Sequence, residues 1–594
     1  MYYFCHSQYS TTMQYLKRYV YVIVGLLLTL GLWCFFAFGY WGHLTHAEEY
    51  QLFLFTADYF NECVASAGGL TNYVGRFLTQ FFLFPSLGAL IVALLYGSLY
   101  FGTLLLFRDV TSSRKWFIAA LASAFTLLST SLWVDITAVY SGTVAVVLTL
   151  WSVVLWHCLP RRVGECVLPL LTFVLFWVVG GFAALTLVVF AVVDTIVVRR
   201  RSTSSMLSLG LGLAVAVVMP FFARSLFGVQ MPLQRTFFGA DLSRFIAVVD
   251  PMVFVIYGVL MFLPLARLAG DVRTTWRWGI GAAVVALGGV AMVANVSFYN
   301  ETSLRFYTYA RNSNWNAILQ LANKKSPTNK ASLLYLNLAL GKTNTLGDNM
   351  FRYSQYGTDG LLHPFIIETS VSVALSDIYY HLGFINSSER LAFEGMKAVS
   401  DYQESARCME RLAEVNMIKG DYRVAIKYYS LLEKSLFYRE KARKGLDLAR
   451  RATIDGQIEW QAKRKGIIDT DIYFSEGEQD MMLGMLFQSD RANKLAFDYL
   501  MAYCLLDRDV EHYVKYAPIG GHLYSSMPKA FREAYIYYLS LTDPKRLMGN
   551  EINALDRAYI NRMQQFRNIY VHNKKDPRLQ EQFADTYWYY LLSE

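Results

Sequence analysis

The first 300 residues of this 594-residue chain are almost without acid, eleven Asp and Glu beside seventeen Lys and Arg, whereas residues 301–594 carry thirty-five and thirty-eight. A half so poor in charge is not a water-soluble domain. Cysteine is scarce too. The seven (Cys5, Cys34, Cys63, Cys158, Cys166, Cys408 and Cys504) show no CxxC or metal-type spacing, which argues against a zinc site and against a disulfide framework. Cys408 and Cys504, in the charged half, read as plain buried thiols. There is no GxxxxGK[ST], no dinucleotide fingerprint and no GxSxG, so nucleotide machinery and the hydrolase elbow have no motif here. A cleavable leader is not expected either. The apolar run Tyr19 to Tyr40 behind Lys17 and Arg18 is too long for one, and Gly42, His43 and Leu44 make a poor cleavage site.

What is present is an apolar, weakly basic chain: 55% hydrophobic, 17% charged, net +9, of which +6 (17 − 11) belongs to residues 1–300 and +3 (38 − 35) to the rest. A membrane helix needs about 20 apolar residues. Such windows lie near residues 19–40, 82–107, 116–134, 137–157, 204–223, 246–266 and 278–298. The run Val167 to Val198 is too long for one helix, and Gly180 with Gly181 divides it. Arg161 and Arg162 precede that run and Arg199, Arg200 and Arg201 follow it, so the positive-inside rule returns both ends to the cytoplasm as a tight hairpin. Nine spans result. Thirteen basic residues then face the cytoplasm: Lys17, Arg18, Arg108, Arg114, Lys115, Arg161, Arg162, Arg199, Arg200, Arg201, Arg267, Arg273 and Arg277. Four face the other side: Arg76, Arg224, Arg235 and Arg244. An odd count puts everything after about Ser297 outside, in the periplasm of a bacterial inner-membrane protein. A single crossing by Val167 to Val198 would instead leave that tail in the cytoplasm.

From Asn312 onward, amphipathic helices of about 12 to 16 residues are expected, joined by short turns. Ala374 to Gly383 pairs with Ser387 to Ala398, and Ala406 to Gly420 with Tyr422 to Leu436. The glycines Gly341, Gly383 and Gly420 recur 42 and 37 residues apart, near the period of helix-hairpin repeats. The stretch MIKGDYRVAIKYYSLLEKS resembles a tetratricopeptide (TPR) hairpin, with Gly420 at the turn, Ala425 at the close approach, and Tyr428 and Tyr429 in the groove. Gly383 with Ser388 and Phe393 is a looser copy. The resemblance implies a solenoid whose concave face binds protein or peptide; the plainer alternative is a rigid cover that binds nothing. The fold class is therefore all-α, a transmembrane bundle over residues 1–300 followed by a TPR-like array over 301–594.

Chemistry is expected in the first outer loop, WGHLTHAEEYQLFLFTADYFNECVASAGGLTNYVGRFLTQFFLFP, residues 41–85. It opens with His43, His46, Glu48 and Glu49, and it holds four of the seven outer acids of the membrane half, Glu48, Glu49, Asp58 and Glu62. Carboxylates at the exit of a first span, followed by an interfacial helix and a second span, resemble the GT-C superfamily of membrane glycosyltransferases. That resemblance implies a sugar donor carried on polyprenyl phosphate, Glu48 or Glu49 as base or metal ligand, and Arg76 near the donor phosphate. It also allows a divalent metal (Mg or Mn), for which His43 and His46 are further candidate ligands. Some GT-C mannosyltransferases carry a TPR array at the same end of the chain. The physical requirement is general: a carboxylate takes the acceptor proton, and a cation offsets the leaving phosphate. Other outer-face candidates are Asp58, Asp135, Asp241 and Asp250, with Arg224, Arg235 and Arg244 for phosphate or lipid head groups. Asp250 is expected about one turn inside the eighth span, a costly place for an acid. Asp194 lies too near the cytoplasmic arginines to count as a mid-span acid.

Departures from the GT-C pattern are visible as well. The DxD pairs, Asp469 with Asp471 and Asp507 with Asp509, fall in the soluble half and read as solvated turns. A WWDYG-like segment is missing. The plain account of Glu48 and Glu49 is a solvated helix start favoured by the dipole. Overall the chain also looks like an uncharacterised family of bacterial membrane proteins that join a polytopic half to a TPR-like tail. The rival function is a non-enzymatic scaffold or assembly factor for envelope or secretion proteins, and a transporter is a third. The partners expected are membrane lipid and a protein or glycan acceptor, with no nucleic acid.

Overall fold

A computed structural model describes residues 19–109, 115–134, 139–197, 203–226, 233–239, 250–271, 274–327, 329–364, 369–399, 404–468, 475, 477–548 and 554–592. The described residues form helices and turns and no strand. They divide into two compact units, one running to Glu301 and including Lys434–Phe437, the other holding the remainder from Thr302.

Among the described residues of the first unit seven helices are long and apolar enough to cross a membrane: Tyr19–Gly39, Pro85–Leu106, Lys115–Val134, Tyr140–Cys158, Ser204–Ser225, Pro251–Leu268 and Trp278–Asn295. The run from Val167 breaks where the glycine pair falls. Arg161–Val178 and Gly181–Val197 are separate helices, the second apolar but shorter than the seven and the first charged over its opening turn. Gly180 between them has φ +136°, and a Cβ there would lie 2.1 Å from the Phe238 carbonyl oxygen, so only glycine fits both the turn and its neighbour. Among the described residues seven helices thus qualify by length and composition, and the hairpin is made of two further helices of 18 and 17 residues.

Hydrogen bonds sort the helix ends into two groups. At one end the Tyr40 hydroxyl donates to the Val134 carbonyl at 2.8 Å, Gly68 N–H donates to Trp177 O at 2.9 Å, Thr71 donates to Val178 O at 2.6 Å, and Ser297 N–H reaches the Tyr40 hydroxyl at 3.4 Å. At the other end Leu106, His157, Asp194 and Arg267 meet. Successive helices therefore run in alternating directions, the hairpin included.

Small residues set the tightest helix contact. A Cβ at Gly288 would lie 2.7 Å from the Ala124 carbonyl oxygen, and one at Gly281 3.2 Å from the Ala120 methyl, so Thr274–Asn295 lies close along Lys115–Val134. Hydroxyls along the apolar helices turn back on their own backbone. Thr103, Thr126, Thr130, Thr149, Thr172, Thr186 and Thr195 each donate to the carbonyl four residues earlier at 2.7–2.9 Å. In an apolar medium that is the cheapest way to satisfy a donor.

The second unit holds the expected helix pairs: Thr369–Leu382 with Ile385–Lys397, then Ala406–Lys419 with Tyr422–Leu432, then Arg439–Arg450. Gly383 (φ +112°) and Gly420 (φ +91°) end helices in the left-handed conformation, with Asp421 N–H closing the last turn onto Asn416 O at 2.9 Å. Ala425 and Tyr429 are buried, and the Tyr429 ring occupies the place where a Cβ on Gly445 would stand. Tyr428 is only half-buried.

Gly341 departs from expectation. It lies inside Lys330–Lys342, the turn being made by Asn344 (φ 58°), and it is small because Leu495 and Tyr499 press against it. That contact also corrects the picture of an open solenoid. Lys330–Lys342 and Lys494–Leu506, some 160 positions apart, are buried nearly all round and pack on each other within one core that reaches from Phe306 to Tyr587. Nearest-neighbour stacking holds from Thr369 to Arg450, and the rest folds back.

Buried charge stitches that run together. Asp377 accepts from Arg407 at 2.6 Å and Arg411 at 2.8 Å, Arg411 also pairs with Glu414 at 3.0 Å, and Lys441 bridges Glu410 and Glu414 at 2.6 and 2.8 Å. Burial alone pushes the Asp377 carboxyl up, and the two arginines outweigh it and hold it below the usual range.

Candidate functional site

The helix Tyr19–Gly39 ends in a π-turn, Phe35–Gly39, where Tyr40 N–H reaches Phe35 O at 2.8 Å. Tyr40 then leaves helical geometry and a new helix, Trp41–Glu49, begins. Its start is fastened from far along the chain. Both oxygens of the buried Glu301 carboxylate accept from its first turn, from Gly42 N–H at 2.9 Å and His43 N–H at 3.0 Å, which places a negative charge at the positive end of the helix. Glu48 and Glu49 lie at the opposite end of that helix and are 2% exposed. They are not a solvated helix start: the acid at the helix start is Glu301, and the pair is buried at the close.

His43 packs against Tyr40 (ring centroids 5.1 Å) and Trp133 (4.9 Å), whereas His46 packs against Tyr50 (4.5 Å). The two imidazoles thus have different aromatic neighbours. Among the described residues no group of three or more His, Cys, Asp or Glu is placed to hold a metal ion.

Arg76 stands near the end of Gly69–Thr79. Its guanidinium donates to the Cys63 sulfur at 3.7 Å, and its carbonyl accepts from the Gln51 amide at 2.9 Å. Cys63 and Tyr59 form the other wall of this spot. Burial raises both of their acidities' midpoints, and Arg76 partly offsets that rise. Asp58 is exposed in the first turn of Ala57–Val64, beside the Thr56 cap.

Asp250 corrects the expected mid-span acid. Its carboxylate accepts from Met252 N–H at 2.8 Å and caps Pro251–Phe262, with Pro251 at the first helical position, so it marks the helix start and not its interior. Arg224 is exposed in the last turn of Thr203–Leu226. Asp135, Asp241, Arg244 and the Asp469/Asp471 pair lie outside the described residues, as does the side chain of Arg235. Asp509 caps Val510–Gly520 through His512 N–H at 2.9 Å, in keeping with a turn. Cys408 and Cys504 are buried thiols, the latter pushed up by burial.

At the far end of the first unit lies a cluster that sequence reasoning passed over. Arg267 donates to Asp194 at 2.5 Å and to the Leu106 carbonyl at 2.9 Å, and it approaches His157 Nε2 at 3.1 Å. A guanidinium has no acceptor, so His157 Nε2 must accept and its proton sits on Nδ1, 3.5 Å from Asp194. Asp194 was set aside for the arginines next to it in sequence, and its partner is 73 residues away. A cavity of about 60 Å³ opens beside it among His157, Arg161, Glu165, Asp194, Ser205 and Ser208. It has room for a few waters, not for a sugar or a nucleotide.

Two arrangements therefore stand out in the first unit: a buried acid pair on a helix pinned by Glu301, and an ion-paired knot that closes the other end. The first gathers two buried carboxylates at a helix end; the second ties helix ends together. No curated protein and no solved structure matches the chain. A family model described as a family of unknown function (DUF6057) matches residues 16–594, and the chain belongs to that family.

Proposed function

We propose that the chain is a GT-C-type membrane glycosyltransferase that moves a sugar from a polyprenyl-phosphate donor to an acceptor on the periplasmic face of a bacterial inner membrane. The observation that carries this reading is the burial of Glu48 and Glu49 at the close of a helix that follows directly on the first apolar helix. Two carboxylates buried at that place are uncommon beside an apolar medium, and buried acids gather at working sites. Alternating helix directions, with the Gly180 hairpin counted as two short crossings, favour nine crossings and an outside tail.

In the reaction, an acceptor hydroxyl or amide attacks the anomeric carbon while the bond from that carbon to the phosphate oxygen breaks. Glu48 or Glu49 takes the acceptor proton, and polyprenyl phosphate leaves with the bonding electrons. Arg76, whose carbonyl accepts from Gln51 two residues beyond Glu49, is the candidate cation for the leaving phosphate, and Arg224, Arg235 and Arg244 are candidates to steer it. The TPR-like run Thr369 to Arg450 would hold the acceptor or a partner.

The test is release of polyprenyl phosphate from labelled lipid-linked sugars by the full chain in proteoliposomes. Glu48→Gln with Glu49→Gln should abolish it in a folded protein. Retained release would remove the assignment. A scaffold role is the second reading, favoured by the neighbour-to-neighbour stacking of that helical run. It predicts partner capture that is indifferent to both glutamates.

A further inference from the structure

Buried hydroxyls in the apolar helices of the first unit mostly turn back onto their own helix or bond across to a neighbour, but one group of buried donors does neither. Trp133 Nε1, Tyr140 Oη, Ser141 Oγ and Ser129 Oγ are buried and have no hydrogen-bond partner among the described residues. Ser129 and Trp133 are four apart on Lys115–Val134 and share a face, and Tyr140 and Ser141 open the next helix, Tyr140–Cys158. The rings form one cage. Trp133 and Tyr140 stand 4.8 Å apart, and Phe82 lies 5.0 Å from Tyr140 and 5.6 Å from Trp133. A buried donor without an acceptor is costly, and the orphaned donors of Trp133 and Tyr140 in this cage, with Ser129 and Ser141 on the same two helices, call for a partner rich in acceptor oxygens.

The backbone adds to this. Tyr140–Cys158 begins at Val139, whose side chain makes no cap hydrogen bond, so the positive end of a 19-residue helix lies beside these donors without a side-chain acceptor at its cap. The cage also touches the site. His43, in the first turn of the Glu301-pinned helix, packs against Trp133, and Glu48 follows five residues on, ~7.5 Å along the helix axis.

We infer that Trp133, Tyr140 and Ser141 form an oxyanion subsite at the start of Tyr140–Cys158 that receives the phosphate of a lipid-linked donor, through neutral donors and the helix end. This deepens the glycosyltransferase reading and rests on it. The donors are sealed off in the present conformation. Entry requires Trp41–Glu49 to lift from Trp133, and the π-turn Phe35–Gly39 before it is the place where the helical hydrogen-bond ladder is already interrupted.

The test uses the full chain in phosphatidylcholine nanodiscs with undecaprenyl phosphate, the uncharged undecaprenol, and inorganic phosphate as competitor. Wild type should retain the phosphate lipid over the alcohol. Tyr140→Phe and Ser141→Ala should each raise the melting temperature of the empty protein, because an orphaned group is gone, and weaken the phosphate preference about tenfold, the equivalent of one charge-assisted hydrogen bond. Competition by inorganic phosphate marks the site as one for the free anion; indifference marks it as one for the lipid headgroup. A lower melting temperature in Tyr140→Phe, or an unchanged preference in both variants, overturns the subsite. If the preference persists in both variants while Glu48→Gln with Glu49→Gln stops transfer, only the subsite falls. No preference in wild type removes the transferase reading with it.

Discussion

Glu533 offers the sharpest test of the second unit's energetics. It is fully buried, and its Oε2 accepts from Tyr587 N–H at 2.8 Å, while Oε1 has no partner among the described residues. Burial is the main cause that lifts its pKa from 4.5 to about 7, against partial relief from the Tyr587 N–H, Lys529 and Arg562. A carboxyl raised in this way binds its proton more tightly folded than unfolded. Its contribution is therefore neutral below pH 4.5 and turns into a growing penalty as pH climbs from 4.5 to 7, reaching about 3 kcal/mol above that range. Glu533→Gln removes the titration. The amide oxygen keeps the Tyr587 contact, and the amide nitrogen leaves one buried donor unmet at about 1–2 kcal/mol. The variant should then be more stable than wild type by about 1–2 kcal/mol at pH 8 and less stable by up to about 1 kcal/mol at pH 5. At roughly 2–4 °C per kcal/mol for a unit of this size, the two melting curves change order between those pH values. Thermal unfolding of the full chain in detergent, followed by tryptophan emission, reads it directly. A stability difference that stays flat with pH would refute the reasoning.

Other substitutions probe single features. Asp377→Asn should cost about 3–5 kcal/mol, because it leaves Arg407 and Arg411 buried without their shared carboxylate; circular-dichroism melts check it. Arg267→Gln should destabilise the first unit by up to a similar amount by removing the guanidinium that pairs with Asp194, and Asp194→Asn added to it should recover about 0.5–3 kcal/mol, measured as a double-mutant cycle. Gly75→Ala would put a methyl carbon 2.7 Å from Ser141 Cα and 2.8 Å from its nitrogen, both backbone atoms. It should cost about 1–3 kcal/mol, visible as a lower melting temperature in the same detergent.

Local signals were legible in the sequence and long-range ones were not. Gly383 and Gly420 could be read as turns because a left-handed residue between two amphipathic runs is a local requirement. Gly341 looks the same in sequence, yet its reason is Leu495, which no spacing rule reaches. The break at Gly180 followed from length and flanking charge. Asp250 should have been read with Pro251 as a cap signature; the apolar residues around it hid a local motif. The acid pair was found as residues, but its burial was not, because the helix that carries it is fixed by Glu301. Glu301 itself gave no signal: its partners are two backbone N–H groups at positions 42 and 43. The cage of Trp133 and Tyr140 was invisible for the opposite reason, since nothing in a sequence marks a hydroxyl that fails to find a partner.

The clasp between Glu301 and the Trp41–Glu49 helix has a consequence in time. Gly42 and Glu301 are 259 positions apart, so at about 5–20 residues per second a ribosome makes the second roughly 10–50 s after the first. Throughout that interval the helix bearing Glu48 and Glu49 exists without the carboxylate that fixes its start. Nascent chains released before residue 301 would display it unfastened, and a protease added to them should cut near Tyr40 where the finished protein resists.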